Sequence, residues 1–361
     1  MIKSKELAKR LGVSEATISL VLNNKPGISA KTRNRVIQEI RELGYGNLLE
    51  ERNNGENAGY AADAPTGKNA ANQKTGSGKN LGFILYRETG KLLGMNSFFP
   101  LILDGIEMTA RRYGYSLSIL NMDKVNLSGQ LSFISEANCV GYVIFATELH
   151  EQELLLFEKT GIPFVVFDNY FIEHQLDSVK VNNEQGTWIG VKYLREMGHE
   201  KIGYLSSGCL INSFTERKEC AIKAMKLLGA VTPEKYVFEV GYPHEEAEIG
   251  MNRVLDGISS DDLPTAFMAD NDLVVAGAMR AFQRRGFRVP EDISFVGFDD
   301  RPICTILQPQ LTTIRLPRDI FGAEAVETLI RKIENIGKGS TKTEINGKLI
   351  CRESVQNRNQ L

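Results

Sequence analysis

The sequence predicts an α/β protein: a head of three short helices, then a body in which strands and helices alternate and the strands fill two parallel sheets. Three observations carry this reading. Apolar residues recur at helical spacing within residues 1–46, large apolar side chains are nearly missing from residues 53–80, and from Leu81 onward short apolar runs alternate with amphipathic stretches. At 361 residues the chain is long enough for two or three domains, and 42% hydrophobic with 24% charged residues is the balance of an ordinary globular protein.

In the head, residues 5–11 make one helix with Ser4 placed to cap it and with Leu7, Ala8 and Leu11 on one face. Gly12-Val13-Ser14 is the turn. Residues 15–22 make a second helix, capped by Ser14, that buries Ile18 and either Val21 or Leu22. A third follows Ser29 through Val36, Ile37, Ile40 and Leu43 to Gly44. Gly12 permits a tight turn and Val13 plugs the junction, which sets the second helix at the angle needed to enter a major groove. The head holds nine Lys and Arg against four Glu, a surplus of five, so with a chain total of −2 the remainder carries −7. A basic head on an acidic body suits a phosphate-seeking module joined to a domain that does not bind nucleic acid. The plainer alternative is a generic three-helix bundle with a solvated basic face, and turn spacing and charge together favour duplex DNA.

Residues 47–79 read as a linker. The stretch is rich in Asn, Gly, Ala, Lys and Thr, its one large apolar residue from 53 onward is Tyr60, and it cannot bury enough surface to offset its ordering entropy. As a flexible tether of about 33 residues it has a root-mean-square span on the order of 30 Å.

In the body, residues 80–361, strands are expected at 81–86, 116–121, 141–146, 164–168, 202–206, 236–240, 265–269 and 294–298. Helices are expected at 99–113, 184–197, 215–228 and 273–285. Repeated strand–helix units imply parallel sheets covered on both faces. Gly198 and Gly286 are helix-stop signals ahead of the next strand.

Five cysteines (Cys139, Cys209, Cys220, Cys304, Cys351) are odd in number, far apart and without a C-x-x-C pair, so neither a disulfide framework nor a zinc site is indicated. No apolar leader follows Met1-Ile2-Lys3, and no apolar run approaches the length of a membrane span, so a cytoplasmic protein is expected. Catalysis has little to stand on. His199-Glu200 and His244-Glu245 lack the second histidine of H-E-x-x-H, Gly337-Lys338-Gly339-Ser340-Thr341 lacks the upstream glycine of a P-loop, and no nucleophile-elbow serine is present. No catalytic residue, metal or cofactor is therefore assigned. Asp270, Asp272, Asp299 and Asp300 could suggest a metal, but Asn271-Asp272 at a strand-to-helix junction is more economically a helix cap and ligand anchor.

Residues 6–23, from Glu6-Leu7-Ala8 through Gly12-Val13-Ser14 to Val21-Leu22-Asn23, closely resemble the head of the LacI, or lactose-repressor, family, and residues 29–45 match its third helix. The body resembles the same family along its length. The most specific run is 264–272, from Pro264-Thr265 to Asn271-Asp272, followed by 288–300, from Arg288-Val289-Pro290 to Asp299-Asp300, and then Leu311-Thr312-Thr313-Ile314. The resemblance implies a sequence-specific regulator of transcription, a repressor whose DNA binding is modulated by a small molecule. It implies a body like that of periplasmic sugar-binding proteins: two doubly wound lobes, lobe 1 about 80–180 with 316–342 and lobe 2 about 181–311 with 343–361. Crossovers are expected at 181–183, 312–315 and 341–344. In the head it places Glu15, Ala16 and Leu20 at base edges, with Thr17, Ser19 and Asn23 nearer phosphates and Ser14 at the helix start. Glu15 could accept from cytosine N4, while Ala16 and Leu20 could pack on thymine methyls. No Arg or Lys stands at those three positions, so a guanine-poor code is expected.

In the body the resemblance places Asn96, Phe98, Asp168, Tyr170, Arg217, Tyr242, Asn271 and Asp299 in a cleft between the lobes. Asp299 facing Arg217 would bracket vicinal hydroxyls, and Phe98, Tyr170 or Tyr242 would cover a sugar's apolar face. A carbohydrate is the expected effector and a nucleobase the lesser option. Partners are a palindromic DNA operator and a second copy of the chain, since one head supplies few contacts and two-fold symmetry doubles them. The sequence departs from the family after Tyr45. Gly46-Asn47-Leu48-Leu49-Glu50-Glu51-Arg52 replaces the usual hinge helix, whose leucine wedges into the minor groove, and about twenty extra residues follow. The competing class is a solute-binding protein without DNA function, which the body alone would serve.

Overall fold

The computed structural model describes residues 8, 12–22, 32, 36, 79–90, 99–231, 233–337 and 339–360. The chain divides into two compact units, Met1–Gln73 and Lys74–Leu361.

The first unit shows the turn and second helix that the sequence calls for. Gly12 takes φ +61°, the left-handed value that favours glycine, and the N–H of Val13 donates to the carbonyl of Ala8 at 3.1 Å. Helix α1, Glu15–Leu22, starts at Ser14, whose Oγ accepts from the N–H of Thr17 at 3.1 Å and lies 2.9 Å from Thr17 Oγ1. Ala8, Ile18, Val21 and Val36 are buried, so Val21 fills the position the sequence left open between it and Leu22.

The second unit holds two six-stranded sheets built on one plan. Strands β1 (Asn80–Arg87), β2 (Ser116–Asp123), β3 (Cys139–Phe145), β4 (Phe164–Phe167) and β5 (Ser178–Val181) form the first sheet, joined at its edge by β11 (Lys342–Ile345) in the order β11-β5-β4-β3-β1-β2. Strands β6 (Ile202–Ser206), β7 (Val237–Glu239), β8 (Ala266–Ala269), β9 (Ser294–Asp299) and β10 (Thr312–Arg315) form the second, closed by β12 (Lys348–Ile350) in the order β12-β10-β9-β8-β6-β7. The two orders are the same when each sheet is counted from its own first strand. All pairings are parallel except that of β10 with β12, which is antiparallel.

Helices cover both faces of each sheet. Short helices α3 (Leu127–Gln130), α4 (Ser132–Glu136) and α5 (Glu151–Glu158) lie on one face of the first sheet, and α2 (Phe99–Arg112) with α10 (Arg318–Ile333) on the other. In the second lobe α6 (Asn183–Glu196) and α7 (Asn212–Leu227) cover one face, and α8 (His244–Gly257) with α9 (Asp272–Arg284) the other. One apolar cluster runs through both lobes, from Phe83, Val165, Phe167 and Phe321 to Tyr204, Met268, Val296 and Phe298. Each such fully buried side chain contributes roughly 1.5–3 kcal/mol by leaving water.

The chain crosses between lobes three times. The first crossing, at Asn182, is where the sequence puts it. The second and third fall later than expected. Thr312–Arg315 is a strand of the second sheet, its Thr312, Thr313 and Ile314 fully buried because β9 and β12 flank them, and the chain leaves only at Leu316-Pro317. Lys342–Ile345 is likewise the edge strand of the first sheet, and the crossing is Asn346-Gly347. The sequence reading also omitted α3, α4, α5, α8 and α10. Among the described residues no helix is long and apolar enough to cross a membrane.

Candidate functional site

In sheets of this order the chain runs outward from β1 and β3 in opposite directions, and likewise from β6 and β8. The loops at their carboxyl ends therefore part and leave a crevice. The two crevices face each other across a narrow cavity of about 50 Å³. Phe99, Phe145, Thr147 and Asp168 line it from the first lobe, and Ile211, Ser213, Phe214, Arg217, Asn271, Asp299 and Arg301 from the second.

Two aspartates approach the cavity from opposite lobes, each where a strand gives way to a loop. Asp168 follows β4 with φ +63°, and Asp299 ends β9 with φ +104°. A non-glycine residue is held there only if its surroundings over-determine it, and here the turn aims the carboxylate. Asp168 Oδ2 accepts from Thr147 Oγ1 at 2.6 Å. Burial pushes the Asp168 carboxyl up to about 6, against the Thr147 hydrogen bond and the Arg217 charge that favour ionisation, while nearby Asp299 adds to the rise.

Arg217 is fixed from four sides. Nε donates to Asn183 Oδ1 at 2.9 Å, Nη1 donates to the carbonyl of Asp270 at 2.7 Å and reaches Asp299 Oδ1 at 3.4 Å, and the guanidinium lies 3.7 Å from the centre of the Phe298 ring. Asp299 Oδ2 accepts from Arg301 Nε at 3.2 Å. Arg318, the first residue of α10, donates to the carbonyls of Asp299 and Asp300 at 2.5 and 2.8 Å, so a first-lobe side chain closes the end of a second-lobe strand.

Asn271 is the N-cap of α9. Its Oδ1 accepts from the N–H groups of Leu273 and Val274 at 3.1 and 3.2 Å, which leaves Nδ2 as its only group to offer. That Nδ2 is buried without a full hydrogen bond, beside the equally unpartnered Tyr242 hydroxyl. The acids flanking Asn271 turn away from the cavity. Asp270 accepts from Tyr204 Oη and the Ser207 N–H at 2.7 and 2.6 Å. Asp272 accepts from the Arg301 N–H at 2.7 Å and from Thr313 Oγ1 at 2.5 Å. Burial, and then the Asp299 charge, raise the Asp272 carboxyl.

Of the residues singled out from sequence, Asp168, Arg217, Asn271 and Asp299 converge on the cavity. Asn96 and Phe98 lie outside the described residues. Tyr170 does not line the cavity: its ring sits against two ammonium groups, 4.5 Å from Lys180 Nζ and 4.1 Å from Lys342 Nζ. Tyr242 is buried behind Phe214, with ring centres 6.4 Å apart. The aromatic surface comes instead from Phe99, Phe145 and Phe214. Sequence reasoning missed these, along with Thr147 and Arg301. Phe214 could have been found, since it lies three residues before Arg217 on one helix and shares its face. Arg301 stands two residues after Asp299 at the same strand end.

In the head, Ser14 is exposed, and Thr17 and Leu20 are half-buried. The side chains of Glu15, Ala16 and Ser19, and all of Asn23, lie outside the described residues.

Residues 4–46 match the family described as bacterial regulatory proteins, lacI family, and residues 191–355 match the periplasmic binding protein-like domain. The chain is 29% identical to the HTH-type transcriptional repressor PurR of Pasteurella multocida over 361 residues, covering 99% of this chain and all of that one. It is 27% identical to the repressor of the same name from Photobacterium profundum, with the same coverage. In structure it is similar to the transcriptional regulator CelR in its cellobiose complex, with TM-score 0.68, 22% identity and coverage of 98% of this chain and 100% of that one. It is also similar to the lac repressor dimer bound to operator and the anti-inducer ONPF, with TM-score 0.67, 22% identity and coverage of 98% and 99%. The helix-turn-helix head matches the lacI family of bacterial regulatory proteins, the two-lobed body matches the periplasmic binding protein-like domain, and the whole chain is similar end to end to full-length transcriptional repressors.

Proposed function

We propose that this regulator is a cytoplasmic repressor that binds a palindromic operator as a homodimer and responds to an uncharged carbohydrate held between its lobes. The observation that carries the effector class is the charge balance of the cavity. Two carboxylates, Asp168 and Asp299, and two guanidiniums, Arg217 and Arg301, line it, so a ligand need bring no charge of its own. Fixed acceptors and donors side by side suit hydroxyl groups, each of which donates and accepts. Asn271 Nδ2 supplies a further donor, and the rings of Phe99, Phe145 and Phe214 supply apolar faces for the C–H side of a sugar ring. The cellobiose and ONPF complexes of similar repressors accord with this class. In the head, Glu15, Ala16 and Leu20 are proposed to read bases, with Ser14, Thr17, Ser19 and Asn23 nearer the phosphates.

A thermal-shift screen of the full protein tests the effector class. Neutral monosaccharides and disaccharides should include a ligand that raises the melting temperature, and Arg217→Lys should abolish the rise while leaving the ligand-free melting temperature within a few degrees. A panel in which only sugar phosphates or only nucleobases stabilise the protein would overturn the reading. DNA binding is tested in the same preparation by selection from a pool of palindromic duplexes.

A further inference from the structure

Outside the cavity the lobes meet along the first turns of α7, and the contacts there form a partly buried charged cluster. Asn212, where α7 begins, donates Nδ2 to Asn169 Oδ1 at 2.6 Å and to the carbonyl of Tyr170 at 3.2 Å, both in the first-lobe loop after β4. One turn on, Glu216 Oε1 accepts from Lys180 Nζ of β5, and Glu216 Oε2 accepts from Asn183 Nδ2 at 2.7 Å. The Lys180 side chain is only 6% exposed. Its other carboxylate is Glu344 of β11, at 3.7 Å, which is also 3.4 Å from Lys342. The Tyr170 ring lies against both lysines.

Lys180, Tyr170, Lys342 and Glu344 belong to the first lobe, while Asn212, Glu216 and Asn183 move with the second. Within its own lobe Lys180 has one carboxylate, which it shares with a second lysine. If the lobes part, Lys180 loses its shorter and stronger partner, and Glu216 keeps only the neutral Asn183. Separating a buried, hydrogen-bonded ion pair is strongly unfavourable because each charge must then be solvated alone. The next residue after Glu216 is Arg217, so the helix that carries the clasp also carries the cavity's central guanidinium. Asn183 joins this cluster to the cavity lining, since its Nδ2 donates to Glu216 while its Oδ1 accepts from Arg217 Nε at 2.9 Å.

We propose that α7 is an interlobe latch: the Lys180–Glu216 pair, backed by the Asn212 ties, holds the two lobes closed on its own and presets Arg217 for the effector. Effector binding then consolidates a conformation the protein already populates, and latch strength sets how much of the effector's affinity is spent on closure. The proposal stands apart from the identity of the effector, because the latch is tested with none added.

Amide hydrogen exchange on the full-length protein, without added ligand, reads lobe opening directly. Peptides covering residues 143–149, 166–171 and 208–217 should exchange about tenfold faster in Lys180→Met and in Glu216→Gln than in the wild type. Peptides from α5 and α8, which lie away from the cavity, should be unchanged. Lys180→Arg, which keeps the charge and the reach, should exchange as the wild type does. The latch is refuted if both charge-removing variants keep wild-type protection around the cleft. It is equally refuted if Lys180→Arg opens the cleft as far as Lys180→Met, or if the loss spreads evenly through both lobes, which would mark plain destabilisation. A failed latch would leave the carbohydrate assignment standing, and a failed ligand screen would leave the latch standing.

Discussion

Asp168 carries a stability cost that follows from its position. Its carboxyl is raised from 3.8 to about 6, chiefly by burial. A raised folded-state value means that the group's contribution is fully present below pH 3.8 and is lost as pH rises through about 6, where the buried carboxylate must ionise. Two units correspond to roughly 3 kcal/mol. Asp168→Asn keeps an acceptor for Thr147 and removes the ionisation, so it should be more stable than the wild type at pH 8, with the gain shrinking to nothing near pH 4. Urea midpoints at the two pH values check this, and equal gains at both would exclude it. That Asp168 belongs to the site was legible from its place after an apolar strand run and from the family pattern. That it is a strained acid whose carboxyl is raised by burial was not, because neither φ nor burial is written in a residue's identity. The same limit explains Tyr170: an aromatic next to a cleft aspartate reads as a sugar platform, and only the arrival of Lys180 and Lys342 from distant strands shows what it covers.

At the scale of elements, the sequence was most informative where periodicity and a cap coincide. Ser14 ahead of α1 and Asn271 ahead of α9 stand where a capping residue precedes an apolar helix, and both caps form. It was least informative at the edge strands. Lys342–Ile345 has alternating exposed and half-buried residues and pairs on one side only, which made it resemble a connection. His199, between α6 and β6, is fully buried with Nδ1 2.9 Å from Thr265 Oγ1 and Nε2 3.1 Å from the carbonyl of Gln356. A carbonyl only accepts, so Nε2 carries a proton. Burial, followed by the Arg358 charge, lowers His199 to about 4 from 6.5. A depressed histidine contributes stability that is present above pH 6.5 and lost as pH falls through about 4, again roughly 3 kcal/mol. His199→Asn offers a donor and an acceptor but no titration, so its unfolding free energy should change less than the wild type's between pH 6.5 and 4. Parallel pH profiles for the two proteins would rule out His199 as the cause. Asp168 titrates in the opposite sense over an overlapping range, and the two single variants separate the contributions.

For the whole molecule, the consequential segment is the one between head and body. The head's surplus of five positive charges against the remainder's −7 makes operator affinity chiefly a matter of phosphate contacts. Two heads engaging six to ten phosphates should lose roughly 10³- to 10⁵-fold in affinity between 50 and 200 mM salt. How firmly those heads answer to the cleft depends on residues 47–79, where Glu50 and Glu51 stand in place of a minor-groove wedge and the composition is that of a loose tether. A flexible tether of that composition would let one head bind without fixing the other, with the effective concentration of the second head falling as about the −3/2 power of tether length. The expected result is a full protein whose operator affinity shifts by less than about tenfold on adding effector, at the low end of the coupling typical of two-site regulators. Deleting residues 53–79 should tighten operator binding and enlarge that shift, without altering the salt slope per contact. If the full protein instead shows strong coupling and the deletion abolishes it, residues 53–79 are a structured relay. The extra chain would then be the means by which cleft closure reaches the DNA.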